Sequence, residues 1–138
     1  MKKQIINQDN DWASVDTAYS ETIVVSRIDC KEVYISGLTA EGENLKTQTE
    51  RILEQMRDIL EKVDGSLNDV VRVRVYVNTE LDDETLEICH KVRNKFFSDV
   101  DPPASTLIEV KNLVSDNFLI EFDADAIVPE DEWDTEKL

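Results

Sequence analysis

Gly65-Ser66-Leu67-Asn68-Asp69-Val70-Val71-Arg72-Val73-Arg74-Val75-Tyr76-Val77 is a turn that runs into a strand, and the rest of the chain can be placed around it. From Val70 onward the run is β-branched, and a two-residue alternation puts Val71, Val73, Val75 and Val77 on one face and Arg72, Arg74 and Tyr76 on the other. Immediately before it, Leu45, Ile52, Leu53, Met56, Ile59, Leu60 and Val63 recur at helical spacing. That spacing predicts a helix over 47–63 with one buried face, stopped by Gly65. A strand face that carries arginines needs water or acids opposite it. Residues 117–128 supply acids: Phe118, Ile120, Phe122, Ala124 and Ala126 share one face, and Glu121, Asp123 and Asp125 the other. The expected pairing is therefore of these acids with Arg72 and Arg74.

On the N-terminal side, residues 19–26 and 32–37 are strand-like and joined by a short loop, which predicts an antiparallel hairpin closed by Gly37. Residues 7–18 are polar and read as an extended arm pinned by Trp12 and Val15. On the C-terminal side, Leu86, Cys89, Val92, Phe96 and Phe97 form the apolar stripe of a second helix over 84–97. Acids gather at its start and bases toward its end, the sense that complements the helix dipole. Pro102 and Pro103 end it, and residues 105–110 form another strand. This order predicts an α+β chain, in which two helices cover one face of a mixed sheet. The other face, to which Leu107 and Leu119 are assigned along with charges, is expected to be covered by subunit association. The expected organisation is one domain, 1–138, with a core over about 12–128 and a solvated acidic tail, 129–138.

The chain has 31 acids against 15 bases, a formal charge of −16. This field repels phosphate backbones and anionic membrane surfaces, so neither nucleic acid nor membrane is an expected partner. The acidity itself fits either ordinary solubility or a salt-rich cytoplasm. Cys30 and Cys89 have no metal-ligand spacing and read as free thiols in a reducing compartment; no metal and no cofactor is expected. The N-terminus lacks the apolar core of a signal peptide, and no run reaches the roughly 20 apolar residues of a membrane span, so the expected location is cytoplasmic.

Tyr19-Ser20, Val33-Tyr34-Ile35-Ser36-Gly37, Gln48-Thr49, Ser66-Leu67-Asn68-Asp69-Val70-Val71, Phe96-Phe97, Pro103-Ala104, Ile108-Glu109-Val110 and Ile120-Glu121 through Ala126 follow one another in an order that resembles the Rid (YjgF-like) family. The resemblance implies a chorismate-mutase-like fold assembled as a homotrimer, with small-molecule clefts between subunits. It also implies the family's founding activity, hydrolysis of 2-imino or enamine acids to 2-keto acids and ammonia. By the same resemblance Tyr19 and Ser36 line the cleft, and Glu121 is the carboxylate that positions the attacking water. A carboxylate suits that task because it can take a proton from water as oxygen approaches the C=N carbon.

One departure bears on the substrate. Deaminating members of the family carry an arginine after the Pro-Ala pair, where it binds the imino acid's carboxylate; here the position is Ser105. A neutral hydroxyl thus replaces a bidentate guanidinium, and each charge-assisted hydrogen bond lost is worth roughly 1.5 to 3 kcal/mol. Leu107 stands where deaminases often have cysteine, and with Ser105 it is assigned to the substrate-binding surface. Glu109 reads as structural and His90 as a surface residue. Three functions are weighed: an imine or enamine hydrolase that works without the arginine, a trimer that binds a metabolite and does no chemistry, and a nuclease or stress protein. The negative charge and the absence of a basic patch make the third the weakest.

Overall fold

The computed structural model describes residues 1–7 and 18–138. Trp12, Val15 and the rest of the expected arm between those two segments lie outside the described residues. The elements are β1 (Lys2–Ile6), β2 (Thr22–Ser26), β3 (Cys30–Leu38), α1 (Leu45–Glu61), β4 (Val70–Val77), α2 (Asp83–Phe97), β5 (Ala104–Glu109) and β6 (Ile120–Pro129), with one 3-10 turn at Leu67–Asp69. The strands form a single sheet in the order β1-β2-β3-β6-β4-β5. All neighbours are antiparallel except β4 and β5.

This order explains why the helices share a face. Because β6 runs antiparallel to both β3 and β4, those two are parallel to each other, and β5 is parallel to β4. The units β3-α1-β4 and β4-α2-β5 therefore step across the sheet in the same direction. A right-handed crossover then places both helices on the same side. Val24, Val33, Ile35, Val73, Val75, Val77, Ile120, Phe122 and Ala124 are buried beneath Ile52, Leu53, Met56 and Leu60 of α1 and Cys89 and Val92 of α2. The expected α+β architecture is observed, with one strand more than the sequence suggested. That strand, β1, adds to the outer edge of the hairpin.

The β4 alternation breaks at its start. The register with β6 shifts between Val70 and Arg72, so that Val70 is buried and Val71 is 38% exposed. A bulge places two residues opposite one, and the face assigned to Val71 belongs to Val70. The helices also differ from expectation at their ends. α1 begins at Leu45, because Asn44 Oδ1 accepts the Thr47 N–H at 2.9 Å and caps the first turn. At the other end Asp64, not Gly65, adopts the left-handed conformation, with φ 63°. Gly65 is needed for closeness instead: a Cβ there would stand 2.8 Å from Val128 Cγ2.

Two further expectations are corrected. Leu107 pairs in register with Val75 and thus points to the helix side, while Leu119 packs against the core. The apolar groups of the open face instead include Ile5 of β1, Ile23 and Val25 of β2, Tyr34 of β3 and Ile108 of β5, whose alternation opposes that of the buried residues. Tyr34 and Ile108 are exposed there. The C-terminal tail is exposed, but the Trp133 indole donates to Asp69 Oδ1 at 2.8 Å, and Asp69 Oδ2 accepts the Ser66 N–H at 2.8 Å. The tail is thus tied to the turn that precedes β4.

Candidate functional site

Ser36 and Glu121 lie toward one end of the open face, and the segment that carries Tyr19 is bonded to Ser36. In β3 the register with β6 shifts between Ile35 and Leu38, and this irregularity contains Ser36 and Gly37. The Ser36 hydroxyl donates to the Ser20 carbonyl at 2.6 Å, and its N–H to the Glu21 carbonyl at 2.8 Å. These bonds tie the segment that carries Tyr19 to the end of β3. Tyr19 itself is 64% exposed. On the adjacent strand, Glu121 lies opposite Tyr76 of β4 on the open face. Its carboxyl packs directly over Gly37, whose missing Cβ would stand 2.8 Å from both Cδ and Oε2.

Glu121 is half-buried, and among the described residues its carboxyl has no hydrogen-bond or ion-pair partner. The expected alternative, an ion pair with Arg72 or Arg74, is not formed. Arg74 instead binds Asp123 at 2.8 Å and Asp125 at 3.2 Å, and the Tyr76 hydroxyl donates to Asp123 Oδ2 at 3.0 Å. The acids that meet the arginine are therefore the two farther along β6. Burial first, and the Asp123 charge second, raise the Glu121 carboxyl above its ordinary pKa. Such a group is a stronger base than an exposed glutamate.

Ser105 and Leu107 are elsewhere. Ser105 pairs with Val73 and Leu107 with Val75, so both point to the helix side, whereas Glu121 is on the opposite face. β5 is also two strands from β6, roughly 10 Å across the sheet. One chain therefore does not bring Ser105 to Glu121.

What meets Ser105 is Arg93, a residue that sequence reasoning did not single out. Arg93 Nη2 donates to Ser105 Oγ at 2.7 Å, and its Cζ lies 6.0 Å from the centroid of the Phe122 ring. No motif marks it; the signal was its place four residues after buried Cys89, one turn along the inner face of α2. Glu109 accepts the Leu81 N–H at 2.9 Å, the expected structural role, and His90 is exposed. Among the described residues no three His, Cys, Asp or Glu side chains are grouped to hold a metal ion. No helix there is long and apolar enough to cross a membrane. Two surface depressions, of about 500 Å³ between α1 and α2 and about 570 Å³ beside the start of α1, are lined by none of the expected site residues.

Residues 10–128 match the family model described as Endoribonuclease L-PSP. The fold aligns with that of Rv2704 from Mycobacterium tuberculosis, a member of the YjgF/YER057c/UK114 family. The chain belongs to the Rid/YjgF family. The Rv2704 alignment has a TM-score of 0.78 at 26% identity and covers 92% of this chain and 100% of that one. RidA from an Antarctic Psychrobacter aligns with a TM-score of 0.67 at 26% identity, over 83% of this chain and 91% of RidA. A RutC family protein of Pyrococcus abyssi is 39% identical over 81 residues, 59% of this chain and 60% of the relative. The chain thus spans about 60% of the length of the curated relatives it matches. The Rid/YjgF fold accounts for the mixed sheet with both helices on one face.

Proposed function

We propose that the protein hydrolyses the C=N bond of a small imine, or of the imine tautomer of an enamine, in a cleft completed by a second subunit of a homotrimer. Glu121 is the general base. The observation that carries this reading is the Glu121 carboxyl: half-buried, raised in pKa, without a partner among the described residues, and held against the Gly37 backbone. Water positioned by Glu121 gives up a proton to the carboxylate as its oxygen bonds to the imine carbon. The nitrogen takes a proton, the carbinolamine collapses, and ammonia leaves a ketone behind. Tyr19 and Ser36 line the same end of the sheet, the former exposed and the latter fixed by its bond to Ser20.

The separation of Ser105 from Glu121 within one chain supports the subunit requirement. So does the open face, on which Tyr34 and Ile108 are exposed and Arg72 stands across from Asp125 with no ion pair among the described residues. With no arginine at position 105, the family's usual 2-imino acids lack their customary clamp there. A nuclease reading is disfavoured by the charge of −16.

The test is release of ammonia from 2-iminopropanoate generated in the reaction mixture by an amino-acid oxidase, along with uncharged imines. Wild type should accelerate hydrolysis of at least one of them, and Glu121→Gln should lose the acceleration while keeping its oligomeric state. If Glu121→Gln turns over as fast as wild type, Glu121 is not the base. If neither protein accelerates any imine, the hydrolase reading gives way to a metabolite-binding trimer.

A further inference from the structure

Arg93 is a cation without an anion, in a chain where acids outnumber bases 31 to 15. Its guanidinium is partly withdrawn from water, and burial lowers its pKa by more than the neighbouring Cys89 raises it. Among the described residues it makes no ion pair. Its hydrogen-bond partner is the neutral Ser105 hydroxyl at 2.7 Å. Phe122 contributes only a ring face, with its centroid 6.0 Å away. Cys89, one turn back on α2, is not a counter-charge, because burial pushes its thiol up and keeps it neutral. Some basic side chains find acids, Arg27 with Glu32, Arg74 with Asp123 and Asp125 and Lys95 with Glu50, whereas Arg72 on the open face, like Arg93, makes no ion pair among the described residues. A partly desolvated cation left unpaired is unfavourable unless an anion joins it.

We propose that Arg93, oriented by Ser105, is the carboxylate-binding group for a small-molecule ligand on the helix side of β5, where Arg93 of α2 reaches Ser105. Leu107, two residues along on the same side of β5, supplies the apolar wall beside it. One guanidinium edge engages Ser105, and the remaining N–H groups are free to meet a carboxylate through two parallel bonds. Arginine is suited to this position because it stays charged when partly withdrawn from water and its planar fork faces an aromatic ring. The inference rests on the reading of the protein as acting on small metabolites, but it concerns binding and not turnover.

The experiment measures binding of 2-oxobutanoate to the full chain by calorimetry, with 2-oxobutanamide as the uncharged control. Wild type should bind the acid at least tenfold more tightly than the amide. Arg93→Met should lose that preference, and Arg93→Lys should keep part of it. Ser105→Asp gives Arg93 an internal carboxylate, so it should lose 2-oxobutanoate binding while unfolding at no lower denaturant concentration than wild type. Turnover is not read in this experiment, so failure of the hydrolase reading leaves the Arg93 assignment standing. Equal affinity of Arg93→Met and wild type for the acid would overturn it, as would failure of wild type to bind 2-oxobutanoate at millimolar concentration. If Arg93→Met does not fold, undiminished binding by Ser105→Asp overturns it equally.

Discussion

The carboxyl of Glu121 rests on the backbone of Gly37 so closely that a Cβ at residue 37 would lie 2.8 Å from its Cδ. The clash would fall on the end of a flexible side chain, not on backbone, so the fold can absorb it by moving the carboxylate. Gly37→Ala should therefore unfold close to wild type but lose turnover by about tenfold or more, the cost of misplacing a catalytic group by a fraction of an ångström or more. Parallel thermal melts and imine hydrolysis rates check this, and a loss of stability matching the loss of rate would refute it.

Glu121 also sets a pH dependence. Its folded-state pKa is raised, chiefly by burial, above the roughly 4.3 of an unperturbed glutamate. The folded state then holds the proton more tightly than the unfolded state, so this contribution to stability is complete below the unfolded value and is lost as pH rises through the folded one. Catalysis needs the carboxylate. The acid limb of kcat/KM should thus lie above the ordinary glutamate range, and Glu121→Gln should be at least as stable as wild type at pH 7 but lose that advantage in acid. A limb at the ordinary glutamate pKa would count against the assignment.

Gln48 carries stability and no chemistry. It is fully buried; its Nε2 donates to the Gly42 and Asn117 carbonyls at 3.1 and 2.9 Å, and its Oε1 accepts the Leu119 N–H at 2.8 Å. Gln48→Leu keeps much of the volume but strands three backbone groups, an expected loss of about 3 kcal/mol. The check is a lower denaturation midpoint with an unchanged slope. Because these bonds tie the start of α1 to the approach to β6, hydrogen exchange at Leu119 should rise with the loss.

The assembly prediction concerns the open face. Sedimentation equilibrium should give a trimer at micromolar concentration, and reversing the sign at Arg72, opposite Asp125, should weaken it. A monomer at that concentration would remove the subunit-completed cleft from the proposal.

Much of the sheet was legible because alternation and helical spacing survive in single segments. Val73, Val75 and Val77, and the faces of β6 from Ile120 onward, behave as their periodicity requires. Val71 misled because a bulge shifts phase by one residue, and nothing in a valine run announces where. β1 was missed because Lys2, Lys3 and Gln4 are exposed on an edge strand, whose pairing with β2 leaves no apolar signature. In the candidate site, Tyr19, Ser36 and Glu121 could be named from the family resemblance, but the approach of Glu121 to Gly37 depends on the irregular end of β3. Arg93 was illegible for a different reason: its contact with Ser105 spans a helix and a strand, and pairing between layers is not written in local periodicity. Ser105 and Leu107 were assigned to the site without regard to which side of β5 they occupy, and only the register with β4 settles that.

The central strand of the sheet is also the last to be synthesised. Until β6 leaves the ribosome, the hairpin β2-β3 and the parallel pair β4-β5 have nothing between them, and each presents an unpaired edge to the cell. The nascent chain must therefore keep two half-sheets apart and out of other contacts until β6 is made, and the sheet becomes continuous only when β6 enters the gap.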